Sequence, residues 1–191
     1  MSEAYYQDQE YTRDSLQGKP LPKGEYDGCK FSGIDFAEQN FSGYKFIDCV
    51  FNGSNLSMVK LGETVIRDCR FEECKLLGLR FDHCSAFGLS FTFQNCQLDH
   101  SSFYKTKIKQ TRFNHCQLKG VDFTEADCSA AVFSQCDLLD AVFENSVLEK
   151  ADFRSAVHFS LDPARNKVKK AKFSLNSIVG LLGKYDIVIE P

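Results

Sequence analysis

Residues 111–153 read TRFNHCQLKGVDFTEADCSAAVFSQCDLLDAVFENSVLEKADF, and an apolar residue falls on every fifth position: Phe113, Leu118, Phe123, Cys128, Phe133, Leu138, Phe143, Leu148 and Phe153. A helix repeats its faces about every 3.6 residues and a strand about every 2, so neither yields a strict five. A fixed short period marks a solenoid, in which each coil buries its apolar centres against the next. The register runs back through Ile108, Phe103, Leu98 and Phe93. An earlier run precedes it in shifted register: Phe31, Phe36, Phe41, Phe46, Phe51, Leu56, Leu61, Ile66, Phe71, Leu76 and Phe81. The slip of two residues falls near 86–93, where the expected centre is only Ala86. It reads as a bulge that leaves Phe87 on the outside.

The position two residues before the centre is small or β-branched in most repeats, and in the second run it reads Cys96, Ser101, Thr106, Thr111, Cys116, Val121, Ala126, Ala131, Cys136, Ala141, Ser146 and Ala151. The resulting (Ala/Cys/Ser/Thr)-x-(Phe/Leu)-x-x pattern resembles that of the pentapeptide-repeat proteins over roughly residues 26–158. The resemblance implies an all-β fold, a right-handed quadrilateral (square) parallel β-helix. Four pentapeptides would make one coil, with the centre and the small residue pointing inward. The cysteine spacing supports a four-repeat coil on its own. Cys29, Cys49 and Cys69 are twenty residues apart, as are Cys96, Cys116 and Cys136, so each set stacks on one wall. After residue 93, Phe recurs every ten residues, which puts stacked Phe on two opposite walls and smaller groups on the others. Coils should repeat at the sheet spacing of ~4.8 Å.

The expected organisation is an N-terminal arm or cap over 1–25, the coil over 26–161, and a capping and dimerisation tail over 162–191. In the tail, Ser174 suits a helix N-cap, Ile178, Val179, Leu181, Leu182 and Tyr185 form an apolar stripe, and Gly183 could end the helix. Ile187–Val188–Ile189 then reads as a short strand. A bare coil end exposes apolar side chains and unpaired backbone, so it must be covered or it associates.

No secretory signal and no membrane-spanning apolar run is evident, and the expected location is cytoplasmic. Eight of the nine cysteines occupy the inward small position and Cys128 a centre, which makes them packing groups and not disulfides or zinc ligands. His83 and His115 fall at outward positions, away from Cys84 and Cys116, so no metal site is expected. The segment Gly88-Leu89-Ser90-Phe91-Thr92 lacks the second Gly of a nucleophile elbow, and no phosphate loop or HExxH is present. Neither catalysis nor a cofactor is expected.

Charge is segregated. Between 121 and 153 stand eight acids, Asp122, Glu125, Asp127, Asp137, Asp140, Glu144, Glu149 and Asp152, and one base, Lys150, although the chain as a whole carries only −3. Over about 8 Å of coil this net charge of −7 is at least as dense as that of duplex DNA, one charge per ~1.7 Å. The C-terminal half, with Phe123-Thr124-Glu125-Ala126-Asp127 and the closing Ala171-Lys172-Phe173-Ser174-Leu175, Gly180-Leu181-Leu182 and Ile187-Val188-Ile189-Glu190, resembles the topoisomerase-protecting branch of that family. That branch holds the Qnr proteins and the albicidin- and microcin-immunity proteins. The resemblance implies a DNA-mimicking homodimer that joins through its tail and binds DNA gyrase or topoisomerase IV, with no direct contact to nucleic acid. The partner surface would be Asp122, Glu125, Asp127, Glu144 and Glu149, and the dimer contact Ile178, Leu181, Leu182 and Tyr185. The chain lacks the long projecting loops of some Qnr members, which argues against strong quinolone protection. The alternative is a repeat scaffold for another protein partner, without effect on a topoisomerase.

Overall fold

The computed structural model describes residues 4–16, 19–185 and 187–188. Every ladder in it is parallel, and nearly all step by twenty residues. The chain is thus a quadrilateral parallel β-helix with four walls, named A to D here in chain order. Wall A stacks Tyr5–Gln7, Glu25–Asp27, Lys45–Ile47 and Val65–Arg67. Wall B stacks seven strands, from Glu10–Thr12 through Lys30–Ser32, Val50–Asn52, Cys69–Glu72, Phe91–Gln94 and Arg112–Asn114 to Val132–Ser134. Walls C and D are held by single bridges, such as Gln97↔Gln117↔Asp137 on C and Ser102↔Asp122↔Val142 on D.

The interior is solid. Phe93, Phe113, Phe133 and Phe153 line wall B, facing Phe103, Phe123 and Phe143 on wall D, and all are buried. Rings stack along each wall, Phe113 on Phe133 at 5.1 Å and Phe103 on Phe123 at 5.3 Å. Across the coil they meet edge to face, Phe123 against Phe133 at 5.7 Å and 83°. Both arrangements suit the ring quadrupole, and Leu98, Leu118 and Leu138 fill wall C between them.

The small position has a second duty beyond fitting. Its side chain donates a hydrogen bond to the carbonyl of a centre in the preceding coil. Ser146 Oγ reaches Phe123 O at 2.9 Å, Thr64 Oγ1 reaches Phe41 O at 2.8 Å, and Ser101 Oγ reaches Leu76 O at 2.8 Å. Cysteine does the same with its weaker donor, as Cys69 to Phe46 O at 3.4 Å and Cys136 to Phe113 O at 3.3 Å. A buried carbonyl left unpaired costs free energy, which explains why Cys, Ser and Thr recur here alongside Ala. All nine cysteines are buried free thiols. Burial pushes the Cys69, Cys84 and Cys128 thiols up, so they stay protonated at neutral pH.

Coil structure reaches further at both ends than the Phe grid suggests. Tyr5–Gln7 and Glu10–Thr12 pair in the common register with Glu25–Asp27 and Lys30–Ser32. Tyr6 stacks on Tyr26 at 4.7 Å and Tyr11 on Phe31 at 5.1 Å, so tyrosine fills the centres that Phe fills later. At the other end, Val147↔Lys167 and Asp152↔Lys172 carry the ladders past residue 161.

The register break is an outward bulge. Ser85 N–H still pairs with Thr64 O at 2.9 Å, and Ser90 N–H regains the ladder at Ile66 O at 3.1 Å. Ser90 Oγ also bonds Asp68 Oδ1 at 2.9 Å, which pins the returning strand. Phe91 turns inward and packs on Phe81, Phe93 and Phe103, taking the space that Ala86 cannot fill. Phe87 is 84% exposed.

The tail differs from the expected single helix. Two 3-10 turns, Ile178–Leu181 and Gly183–Tyr185, follow a turn in which Ser174 and Ser177 bond each other's backbone N–H. The reason is a close approach. Leu161 N–H bonds Gly180 O at 2.9 Å, and a Cβ on Gly180 would lie 2.3 Å from Phe159 O. Docking there costs the segment regular α-helical geometry. Ile187 and Val188 form no strand, and Ile189 lies outside the described residues.

Candidate functional site: an acidic corner of the coil

Each outward charge is set by its place in the pentapeptide. The residue before the centre points out from the wall, and the two after it form the corner. Glu125 and Asp140 sit at corners with φ of 56° and 57°, the left-handed conformation that a tight turn demands. Asp122 precedes Phe123, and its Oδ1 accepts the Thr124 N–H at 2.8 Å, which fixes the carboxylate against the wall.

The five expected contact residues fall into two groups. Asp122, Glu125 and Glu144 lie together on wall D. Asp127 and Glu149 lie on wall A, in rungs that also carry Lys107, Lys109, Lys150, Lys167, Lys169 and Lys170. The acidic surface is therefore concentrated on wall D and on wall C, where Asp137 and Asp140 stand.

Bases from neighbouring coils thin that surface. Lys105 Nζ lies 3.5 Å from Glu125, Lys109 Nζ 3.2 Å from Asp127, and Lys119 Nζ 3.4 Å from Asp137, while Arg165 pairs with Glu144. Arg154 pairs with Asp152 at 2.7 Å. Among the described residues, Asp122, Asp140 and Glu149 make no ion pair. The linear count of the sequence, seven net charges over about 8 Å, thus overstates the field, because it omits partners one coil away. Their signal was present in the sequence: the paired residues stand 18 to 21 positions apart, close to one coil.

Several of these carboxylates titrate low. Burial pulls Asp127 up, but the Ser129 hydroxyl and amide together with Lys109 outweigh it and hold the group below the usual range. Asp137 is likewise pulled up by burial and carried below its ordinary value by His158, the Leu139 N–H and Lys119. These acids remain ionised well below neutral pH.

The tail residues also divide. Leu181 packs against the core, where it caps the last coil. Ile178 and Tyr185 are 44% and 58% exposed, and Leu182 is half-buried. Beside them a shallow groove is lined by Leu139, Val157, Phe159 and Val179. Among the described residues no cluster of His, Cys, Asp and Glu could hold a metal ion, and no helix is long and apolar enough to cross a membrane.

These features define a repeat scaffold with a filled apolar interior and its charges at outward positions. The pentapeptide repeat region model matches residues 22–103 and 64–143, and the chain belongs to the pentapeptide-repeat family. Among solved structures it is similar to two trypsin-treated forms of QnrB1, a plasmid-mediated fluoroquinolone resistance protein. One matches at 17% identity and TM-score 0.51 over 98% of each chain, the other at 17% and 0.50 over 100% of each. HetL of the cyanobacterium Nostoc, a pentapeptide-repeat protein involved in heterocyst differentiation regulation, matches at 13% identity and TM-score 0.42, over 91% of this chain and 85% of that one. No curated protein matches the sequence.

Proposed function

We propose that the chain is a DNA-mimicking modulator of a type II topoisomerase, DNA gyrase or topoisomerase IV, that acts by binding and not by catalysis. The observation that carries this reading is the set Asp122, Glu125 and Glu144 on one flat, rigid wall of a narrow rod. Carboxylates at fixed rung spacing present a polyanion to a basic groove without the cost of ordering a flexible chain. The likeness of fold to a fluoroquinolone resistance protein agrees with it. Two copies joined through Ile178, Leu182 and Tyr185 would set two such walls along one rod, the length of which then suits a duplex-binding groove.

The ion pairs sharpen the reading. Glu125 and Glu144 are shared with Lys105 and Arg165, so the partner must compete for them or leave them in place. Asp122 has no such competitor among the described residues and is the strongest single contact. The same thinning favours, as a second reading, a scaffold for a different and less basic protein.

The test is gyrase supercoiling with purified protein titrated in the presence and absence of a cleavage-complex poison, alongside an Asp122→Ser/Glu125→Ser/Glu144→Ser variant. The proposed function predicts that the parent alters supercoiling or restores it in the presence of the poison, and that the variant does neither. No effect of the parent at micromolar concentration on gyrase or topoisomerase IV would leave the scaffold reading standing.

A further inference from the structure

Wall A, around the corner from the acidic wall, has the opposite sign. Over its last four rungs it carries six lysines, Lys107, Lys109, Lys150, Lys167, Lys169 and Lys170, against two acids, Asp127 and Glu149. All six lysines are exposed, and of them only Lys109 is in an ion pair among the described residues. Lys107, Asp127, Val147 and Lys167 are successive members of one bridge column, so Lys107 and Lys167 lie three rungs apart, about 14 Å. Arg112 and Lys172, both exposed, extend the basic surface onto wall B at the same two levels. The rod is polarised across its axis, although the whole chain carries only −3.

We propose that wall A binds the sugar-phosphate backbone of duplex nucleic acid. The chemistry on the wall separates this partner from other polyanions. No exposed aromatic residue stands on these four rungs, so bases have no stacking platform, and a single strand has little to gain. No exposed large apolar side chain stands there to enter a bilayer, so an anionic membrane lacks its usual anchor. Amines on a flat wall at fixed spacing match a stiff row of phosphates, and such contacts gain free energy from counterion release. This inference departs from the expectation of no direct nucleic-acid contact. It does not rest on the topoisomerase reading, but together they put the protein between an enzyme on one side and the DNA that enzyme holds on the other.

The experiment uses the full chain and a labelled 30-base-pair duplex, with no topoisomerase, and reads fluorescence anisotropy from 50 to 200 mM salt. Six lysine–phosphate contacts predict a roughly 1000-fold loss of affinity across that range. Lys167→Gln/Lys169→Gln/Lys170→Gln should weaken binding and make the slope of log K against log salt shallower by about 2.7, at ~0.9 per contact. A charge-matched control, Lys19→Gln/Lys60→Gln/Lys75→Gln, removes three exposed lysines elsewhere and should keep the slope. Three outcomes overturn the proposal: no binding to the duplex at 50 mM salt, an equal loss in the control, or binding to phosphatidylserine vesicles in place of the duplex.

Discussion

Walls A and D in the C-terminal half share one backbone geometry and an apolar inward face, yet they face solvent with opposite charge. Wall D buries Phe103, Phe123 and Phe143 and shows Asp122, Glu125 and Glu144. Wall A buries Ile108, Cys128 and Leu148 and shows mostly lysine. The difference in charge lies wholly at outward positions. Inward positions specify the coil and outward positions specify what it meets, so the two can be changed separately.

The largest effect should come from breaking that separation from inside. Phe123 stacks on Phe103 and Phe143 and meets Phe113 and Phe133 edge-on, so Phe123→Ala should cost roughly 3–5 kcal/mol in denaturant unfolding. A variant as stable as the parent would show that the ring does not belong to the core. Ser146→Ala tests the buried donor that ties a wall-A rung to the acidic wall in the preceding coil. Losing its bond to Phe123 O should cost about 1–2 kcal/mol, and Ser146→Cys, which keeps a weak donor, should recover part of it.

Two smaller effects address the surface. If two copies join through the tail as proposed, the parent should sediment as a dimer and Leu182→Asp as a monomer, with the coil's circular dichroism unchanged; a variant that still sediments as a dimer removes the tail from the contact. Asp137→Asn should destabilise by under about 1 kcal/mol at neutral pH, since its partners are solvent-accessible, Lys119 half-buried and His158 exposed. The folded carboxyl titrates below its unfolded value, so this contribution is present above about pH 4 and fades as pH falls through the folded pKa. Parent and variant should converge in acid.

The inside of the coil was legible because every fifth residue repeats one steric demand. The outside was only half legible. Which wall holds Asp122 follows from counting fives, but the neutralising Lys105, Lys109 and Arg165 stand about one coil away in sequence, and a local charge count passes over them. The N-terminal coil was hidden because Tyr6 and Tyr11 replace Phe and the segment between them and Tyr26 leaves the period. The tail misled for a different reason. Its apolar spacing fits a helix, but the packing of Gly180 on Phe159 overrides propensity and leaves 3-10 turns.

The most direct test of the central claim is competition. Purified gyrase is bound to a labelled duplex and challenged with the parent, with Asp122→Ser/Glu125→Ser/Glu144→Ser, and with Lys167→Gln/Lys169→Gln/Lys170→Gln. If wall D imitates DNA, the parent and the lysine variant, whose own hold on the duplex is weakened, both displace the duplex, their potency falls as salt rises, and the acidic-wall variant loses at least tenfold. Displacement by the acidic-wall variant at the parent's potency would contradict the account.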